Sequence, residues 1–305
     1  MPKAEATAPL LDASVEAPSS SQPAPCCTVG AHPAQPVADV SQLRGSFETI
    51  TASASDTIEC YCVAPPAGTQ VKGGVLVVHD IFGLHSGRHA QFCDELAELG
   101  WVAVCPDCYG DARERAAAMD LAWPPKSASN ILSLICCCKF SWMSKVLKIS
   151  WNDIQPRLCG AIARANQLYA GASTAAGPKM PLFAYGFCWG AWPVARLLAN
   201  DIEASSELSG VTTPTLTTSI CVRAGVCFHP SFQVGGNVAE LAAGVRGPLL
   251  LCPCGDDPED VQDGGLVTQQ LRQAGRTDFK VHPFPEMVHG FMMRGPLDQP
   301  AIQAA

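Results

Sequence analysis

From Ser41 onward, short runs of apolar residues alternate with longer stretches of helical periodicity. Phe47–Ala52 and Ile58–Ala64 are β-compatible segments separated by polar residues, and together they predict an opening hairpin. Gly74–His79 (GVLVVH) is an almost unbroken apolar run, the pattern of a strand buried on both faces. His89–Leu99 carries apolar residues at helical spacing (Phe92, Leu96, Leu99) and stops at Gly100. Trp101–Cys105 is a second buried strand, broken by Pro106-Asp107.

The alternation then repeats. Asp153–Tyr169 predicts a helix, Pro181–Tyr185 a strand, and Trp189–Leu198 a helix whose Pro193 falls near the first turn, where a missing N–H is best tolerated. Cys221–Phe228 and Pro248–Cys252 predict strands, Leu266–Ala274 a helix and Phe279–Phe284 the last strand. Strands alternating with helices specify an α/β fold with a mostly parallel sheet covered on both faces. Residues 1–40, rich in Ala, Pro and Ser, read as a disordered arm, which leaves 41–305 as one domain. The stretch from Ala122 to Ser150 fits either a buried helix or part of a cap.

Composition narrows the function classes. The net charge of −8 is spread along the chain and argues against a nucleic-acid surface or an anionic membrane as partner. The nearest approach to an apolar span, Ile131–Cys138, is far below the roughly 20 residues a membrane-spanning helix needs. A secretory signal and an Arg-rich transit peptide are both unsupported by the N-terminal residues. Sixteen cysteines, several of them inside apolar runs, then read as reduced thiols of a cytoplasmic protein.

The chemistry centres on Gly186-Phe187-Cys188-Trp189-Gly190, which follows a predicted strand and opens a predicted helix. That is the context of a nucleophile elbow. The helix N-terminus favours a thiolate at Cys188. His289, just past the last predicted strand and followed by Gly290, is the candidate base, with His282 the competitor inside the strand pattern. The acid is expected after Pro248–Cys252, where Asp256 and Asp257 stand, and Asp257 is preferred. The N–H groups of Trp189 and Ile81 are the candidate oxyanion donors. Asp80 either points into the same crevice, where it would act on the thiol, or caps the next helix. His79, His85, His89 and His229 lie near strand ends and can line the site as well.

Three separated motifs resemble the dienelactone hydrolase family (carboxymethylenebutenolidases), particularly its eukaryotic branch: Val78–Gly83 (VHDIFG), Gly186–Gly190 (GFCWG) and His289–Gly295 (HGFMMRG). Cys105–Gly110 (CPDCYG) is a looser fourth, and the likeness runs from about Ser41 to the end. The resemblance implies an α/β-hydrolase fold and a Cys188-His289-Asp257 triad, with Asp80 holding or activating the cysteine. It also implies hydrolysis of a small lactone or ester through an acyl-enzyme, without metal or cofactor. Arg294 matches an arginine of the final motif and would bind a substrate carboxylate, and Arg88 is a second possibility.

Departures from the family pattern are Asp80 where bacterial members carry Glu, Ala191 where a second glycine often follows the elbow, and few residues after Gly295. A shortened final helix would leave an apolar patch exposed. Two other readings stand beside this one. A broader carboxylesterase or thioesterase shares every motif. A cysteine-rich redox or metal-binding protein would use Cys105-Pro106-Asp107-Cys108, although no second pair with zinc-ligand spacing accompanies it.

Overall fold

The computed structural model describes residues 31–32, 40–110, 149–173, 179–199, 221–299 and 302. Its centre is an eight-stranded sheet in the order β1-β2-β4-β3-β5-β6-β7-β8. The antiparallel pair β1 (Ser46–Ser53) and β2 (Asp56–Val63) forms one edge, and β2 runs antiparallel to β4 (Trp101–Pro106). From β4 onward the sheet is parallel, through β3 (Gly73–Val78), β5 (Leu182–Phe187), β6 (Val222–Phe228), β7 (Leu249–Cys252) and β8 (Phe279–Val281). This is the α/β-hydrolase fold.

Residue alternation sorts the core into two layers. Leu76 and Val78 of β3 and Val102 and Val104 of β4 face one layer, with helices α2 (Trp151–Ala172) and α3 (Ala191–Leu198). Leu241 of α4 (Val238–Gly244) and Val267 and Leu271 of α5 (Leu266–Gln273) complete that side. Val75, Val77, Ala103 and Cys105 face the other layer, covered by α1 (His89–Glu98) and by Met293 of the single-turn α6 (Phe291–Arg294). Both faces of β3 are therefore buried, which is why its sequence is uninterrupted by polar residues.

Several boundaries differ from the sequence pattern for local reasons. The helix expected from Trp189 begins at Ala191, because Cys188–Gly190 winds as a 3-10 turn. Helix α2 starts earlier than expected, at Trp151, where the Ser150 N–H donates to Asp153 Oδ2 at 2.9 Å. The last strand ends at Val281, and Phe284 pairs only through an isolated bridge with Cys254. Helix α4 was not legible from periodicity; Asn237 starts it, its side chain accepting from the N–H groups of Ala239 and Glu240.

Within the N-terminal arm, Ala31 and His32 lie against the domain, with Ala31 buried. The possible cap at 122–150 lies outside the described residues except for its end. Near the C-terminus, Ile302 packs with Cys254, Met287 and Phe291. The large hydrophobics left exposed among the described residues are Val40, Leu99 and Leu297. No described helix is long and apolar enough to cross a membrane.

A polar latch ties the antiparallel edge to α1. Tyr61 is fully buried; its hydroxyl donates to Asp94 Oδ1 at 2.6 Å and accepts from the Gly45 N–H at 2.8 Å. Asp94 also accepts from the Arg44 N–H at 2.9 Å. Burial, then the Asp94 carboxylate, pushes the Tyr61 phenol up, so it stays a donor. Tyr61→Phe strips the Gly45 N–H and Asp94 of a buried partner and is expected to cost about 1–3 kcal/mol. Urea unfolding reads this directly; an unchanged midpoint would show that the latch adds nothing.

Candidate active site

The loops leaving the C-terminal ends of β3, β5, β6 and β7 meet with the segment after β8, the usual place for a site in a parallel sheet. Cys188 follows β5 with φ at 53°, a backbone conformation that side chains disfavour. The turn is possible because two glycines flank it. A Cβ on Gly186 would sit 2.4 Å from the Gly190 carbonyl oxygen, and one on Gly190 would sit 2.3 Å from that of Val78. The same close approach places the end of β3, and hence the Asp80–Gly83 loop, against the elbow. Ile81 and Trp189, the expected oxyanion donors, are both buried there.

His289 and Asp257 stand opposite. His289 Nδ1 lies 2.6 Å from Asp257 Oδ1, and both side chains are essentially inaccessible to solvent. Asp257 Oδ2 accepts from the Cys254 N–H at 2.7 Å, which orients the carboxylate. The neighbouring Asp256 accepts from the backbone N–H of His289 at 2.7 Å. The two acids that sequence alone left as alternatives thus divide the work: one meets the imidazole, the other the main chain. Donor atoms of Cys188, His289 and His229 all lie within 4.8 Å of one another.

His229 and Ser231, from the loop after β6, complete the cluster. Ser231 Oγ is 3.6 Å from Cys188 Sγ, and the Ser231 N–H donates to the Cys188 carbonyl at 3.1 Å. The His229 ring packs 4.8 Å from that of His289, and its backbone φ is 37°. Burial pushes His229 down to about 3, with the charges of His289 and Arg294 acting in the same direction and Cys188 opposing them. For Ser231 the signal available in the sequence was its position three residues past a parallel strand.

The remaining histidines have other partners. His79 Nδ1 lies 2.7 Å from the Asp80 carbonyl, its Nε2 accepts from the Cys108 N–H at 3.0 Å, and its ring stacks on Trp189. His89 Nδ1 lies 2.6 Å from the Ser86 carbonyl, and its Nε2 accepts from the Asp80 N–H at 3.2 Å. His85 pairs with Glu59, and His282 sits beside Phe284.

The two arginines and Asp80 are arranged differently from the expectation. Asp80 Oδ2 pairs with Arg294 Nε at 3.0 Å, and Asp80 Oδ1 accepts from the Phe82 N–H at 2.9 Å. These groups hold its carboxylate. Arg294 is fully buried, lies 4.5 Å from the centre of the Phe82 ring and donates to the His32 carbonyl. Arg88, the second candidate for a substrate carboxylate, instead donates to the carbonyls of Gly295, Met292 and Phe291 at the end of α6. Cys105 lies in β4 and Cys108 in the bend beyond its end, and the two pack in different core clusters.

A sheet of this order with an elbow cysteine beside a histidine–carboxylate pair defines a member of the α/β-hydrolase class. The chain belongs to the dienelactone hydrolase family, whose sequence model matches residues 58–305, and with it to the hydrolases of carboxylic ester bonds. An uncharacterized AIM2 family protein of Schizosaccharomyces pombe is 26% identical over 76% of this chain and 75% of its own. A Yersinia pestis protein named "Putative carboxymethylenebutenolidase" is 25% identical over 80% of this chain and 78% of its own. Among solved structures, an esterase of Thermogutta terrifontis shares the fold with a TM-score of 0.50 at 15% identity, covering 88% of this chain and 93% of that one.

The His229 environment has a measurable consequence. A folded-state value near 3 lies below that of the unfolded chain, about 6.5. Neutral His229 therefore favours the fold above roughly pH 6.5, and this contribution fades as pH falls toward the folded-state value. Imidazole nitrogen shifts of His229 measured by NMR are expected to stay constant between about pH 5 and 8. A midpoint inside that window would overturn the assignment.

Proposed function

We propose that this hydrolase cleaves a small carboxylated lactone or ester through Cys188 as nucleophile, His289 as base and Asp257 as its orienting acid. The observation that carries the reading is the buried 2.6 Å contact between His289 and Asp257, on an imidazole whose ring neighbours the elbow cysteine. In this scheme His289 takes the thiol proton through Nε2, and Asp257 stabilises the resulting imidazolium. The thiolate attacks the ester carbonyl, and the N–H groups of Trp189 and Ile81 receive the developing oxyanion. His289 returns the proton to the leaving oxygen, forming an acyl-thioester. Water, deprotonated by the same imidazole, then releases the acid and restores the thiol.

The scheme uses neither metal nor cofactor. Its partner is a small molecule rather than nucleic acid or membrane, and the thiol suits a reducing compartment such as the cytoplasm. Arg294 is the reading's candidate for the substrate carboxylate. Its burial against Asp80 also supports a second reading, a broader carboxylesterase that accepts neutral esters.

Dienelactone hydrolysis, followed by loss of its ultraviolet absorbance, should be present in the wild type and absent in Cys188→Ala. Retained turnover in that variant would remove Cys188 from the chemistry. Asp257→Asn is expected to lower kcat by up to about 10⁴-fold, because the wrong imidazole tautomer is then favoured. Asp256→Asn should have a much smaller effect.

The carboxylate preference is tested with the double variant Asp80→Asn/Arg294→Met, which avoids leaving one buried charge unpaired. Loss of a charged hydrogen bond should reduce the preference for carboxylated over neutral esters by about 10–100-fold. An unchanged preference would favour the broader carboxylesterase.

A further inference from the structure

The hydrolase reading leaves His229 without a task. It is fully buried, and the group that faces its ring is the Cys188 thiol, with no nitrogen or oxygen partner for either ring nitrogen among the described residues. A buried imidazole normally satisfies at least one nitrogen, since leaving both unmet costs free energy. Its backbone also sits in the left-handed region, so the fold holds this side chain in place at some conformational cost. The ring points into the cluster where a donor atom of each of Cys188, His289 and His229 lies within 4.8 Å of the others.

We propose that Cys188, His229 and His289 form a zinc-binding site whose occupation reversibly arrests the hydrolase. One sulfur and two imidazole nitrogens suit zinc over magnesium or calcium, which prefer all-oxygen shells. Tetrahedral zinc at about 2.0–2.3 Å from each ligand places its donors roughly 3.5 Å apart. The cluster needs a contraction of about 1.3 Å at most to reach this, starting from separations of no more than 4.8 Å.

The thiol gives up its proton to solvent as the Zn–S bond forms, with no change in oxidation state. A water or a small anion takes the fourth position. Zinc held in this way occupies the sulfur lone pair and the imidazole nitrogen that acyl transfer requires, so ester cleavage stops until the metal is removed. The arrest rests on Cys188 and His289 having the roles given above; the binding itself rests only on the cluster.

The test uses the full-length protein with zinc chloride, and with cobalt(II) as a spectroscopic stand-in. Calorimetry should show one tight site, and cobalt should give a thiolate charge-transfer band with tetrahedral visible bands. Both should be lost in Cys188→Ser. In His229→Gln and His289→Gln, binding should weaken by at least about 100-fold, more than the loss of an outer-sphere partner costs. One equivalent of zinc should shield Cys188 of the wild type from iodoacetamide, read by peptide mass, which requires no variant to fold. Magnesium should do neither.

Zinc binding that persists in Cys188→Ser and disappears when Cys136, Cys137 and Cys138 are replaced by serine would overturn the proposal. So would undiminished alkylation of Cys188 in the presence of bound zinc. An enzyme that hydrolyses esters through Cys188 but shows no cobalt–thiolate band would sink the zinc site and leave the hydrolase reading intact. A protein that turns over no ester yet binds zinc through these three residues would do the reverse.

Discussion

The structure depends on how closely two backbones approach at the end of the central strands. Gly190 rests on the carbonyl oxygens of Val78 and His79, and Gly186 on the carbonyl of Gly190. No side chain fits at either position without moving the backbone. The contact forces the chain to reverse sharply at Cys188, which takes up a positive φ as a result. It also locks the loop after β3 to the elbow, and Ile81 and Trp189, one from each of these two segments, are both buried there. Every other feature of the site is arranged around that fixed point.

Burial then decides which polar groups must be paired. Asp257 and His289 form one fully enclosed polar pair, and Asp80 and Arg294 form another. Taking isolated charges out of water is costly, and such groups persist inside a protein when each is matched by a partner and by backbone hydrogen bonds. Asp257 has the Cys254 N–H, Asp80 the Phe82 N–H, and Arg294 the His32 carbonyl and the Phe82 ring. His79 and His89 are likewise satisfied by main-chain groups. His229 is the contrast: burial pushes its pKa down, and the surrounding scaffold meets its ring through the Cys188 thiol rather than through a main-chain group. That contrast separates a histidine used for packing from one disposed toward a ligand.

Much of the architecture was legible from the order of residues. The apolar runs of β3 and β4 identify strands enclosed on both faces because the hydrophobic effect requires nearly every position in them to be apolar. Gly-Phe-Cys-Trp-Gly between a strand and a helix signals a strained turn, since the glycines matter for steric reasons that do not depend on distant residues. The order Cys188, Asp257, His289 follows from where successive parallel strands end. In each case the determining physics is local: periodicity, chain direction or the size of a side chain.

What the tertiary structure alone decided is which groups meet across long stretches of chain. Asp256 and Asp257 are neighbours that the sequence separates only by a preference for Asp257, yet one binds the His289 main chain and the other its ring, because the two carboxylates leave the same turn in different directions. Arg294, and Arg88 after it, read as anion partners, but Arg88 is taken up by carbonyls at the end of α6 and Arg294 by Asp80. Ser231 and His229 join Cys188 only because β6 lies beside β5 in the sheet. Local sequence specifies the elements and the strained turn. Pairings of buried charges depend on desolvation and on sub-ångström direction, and both exist only once the strands are side by side.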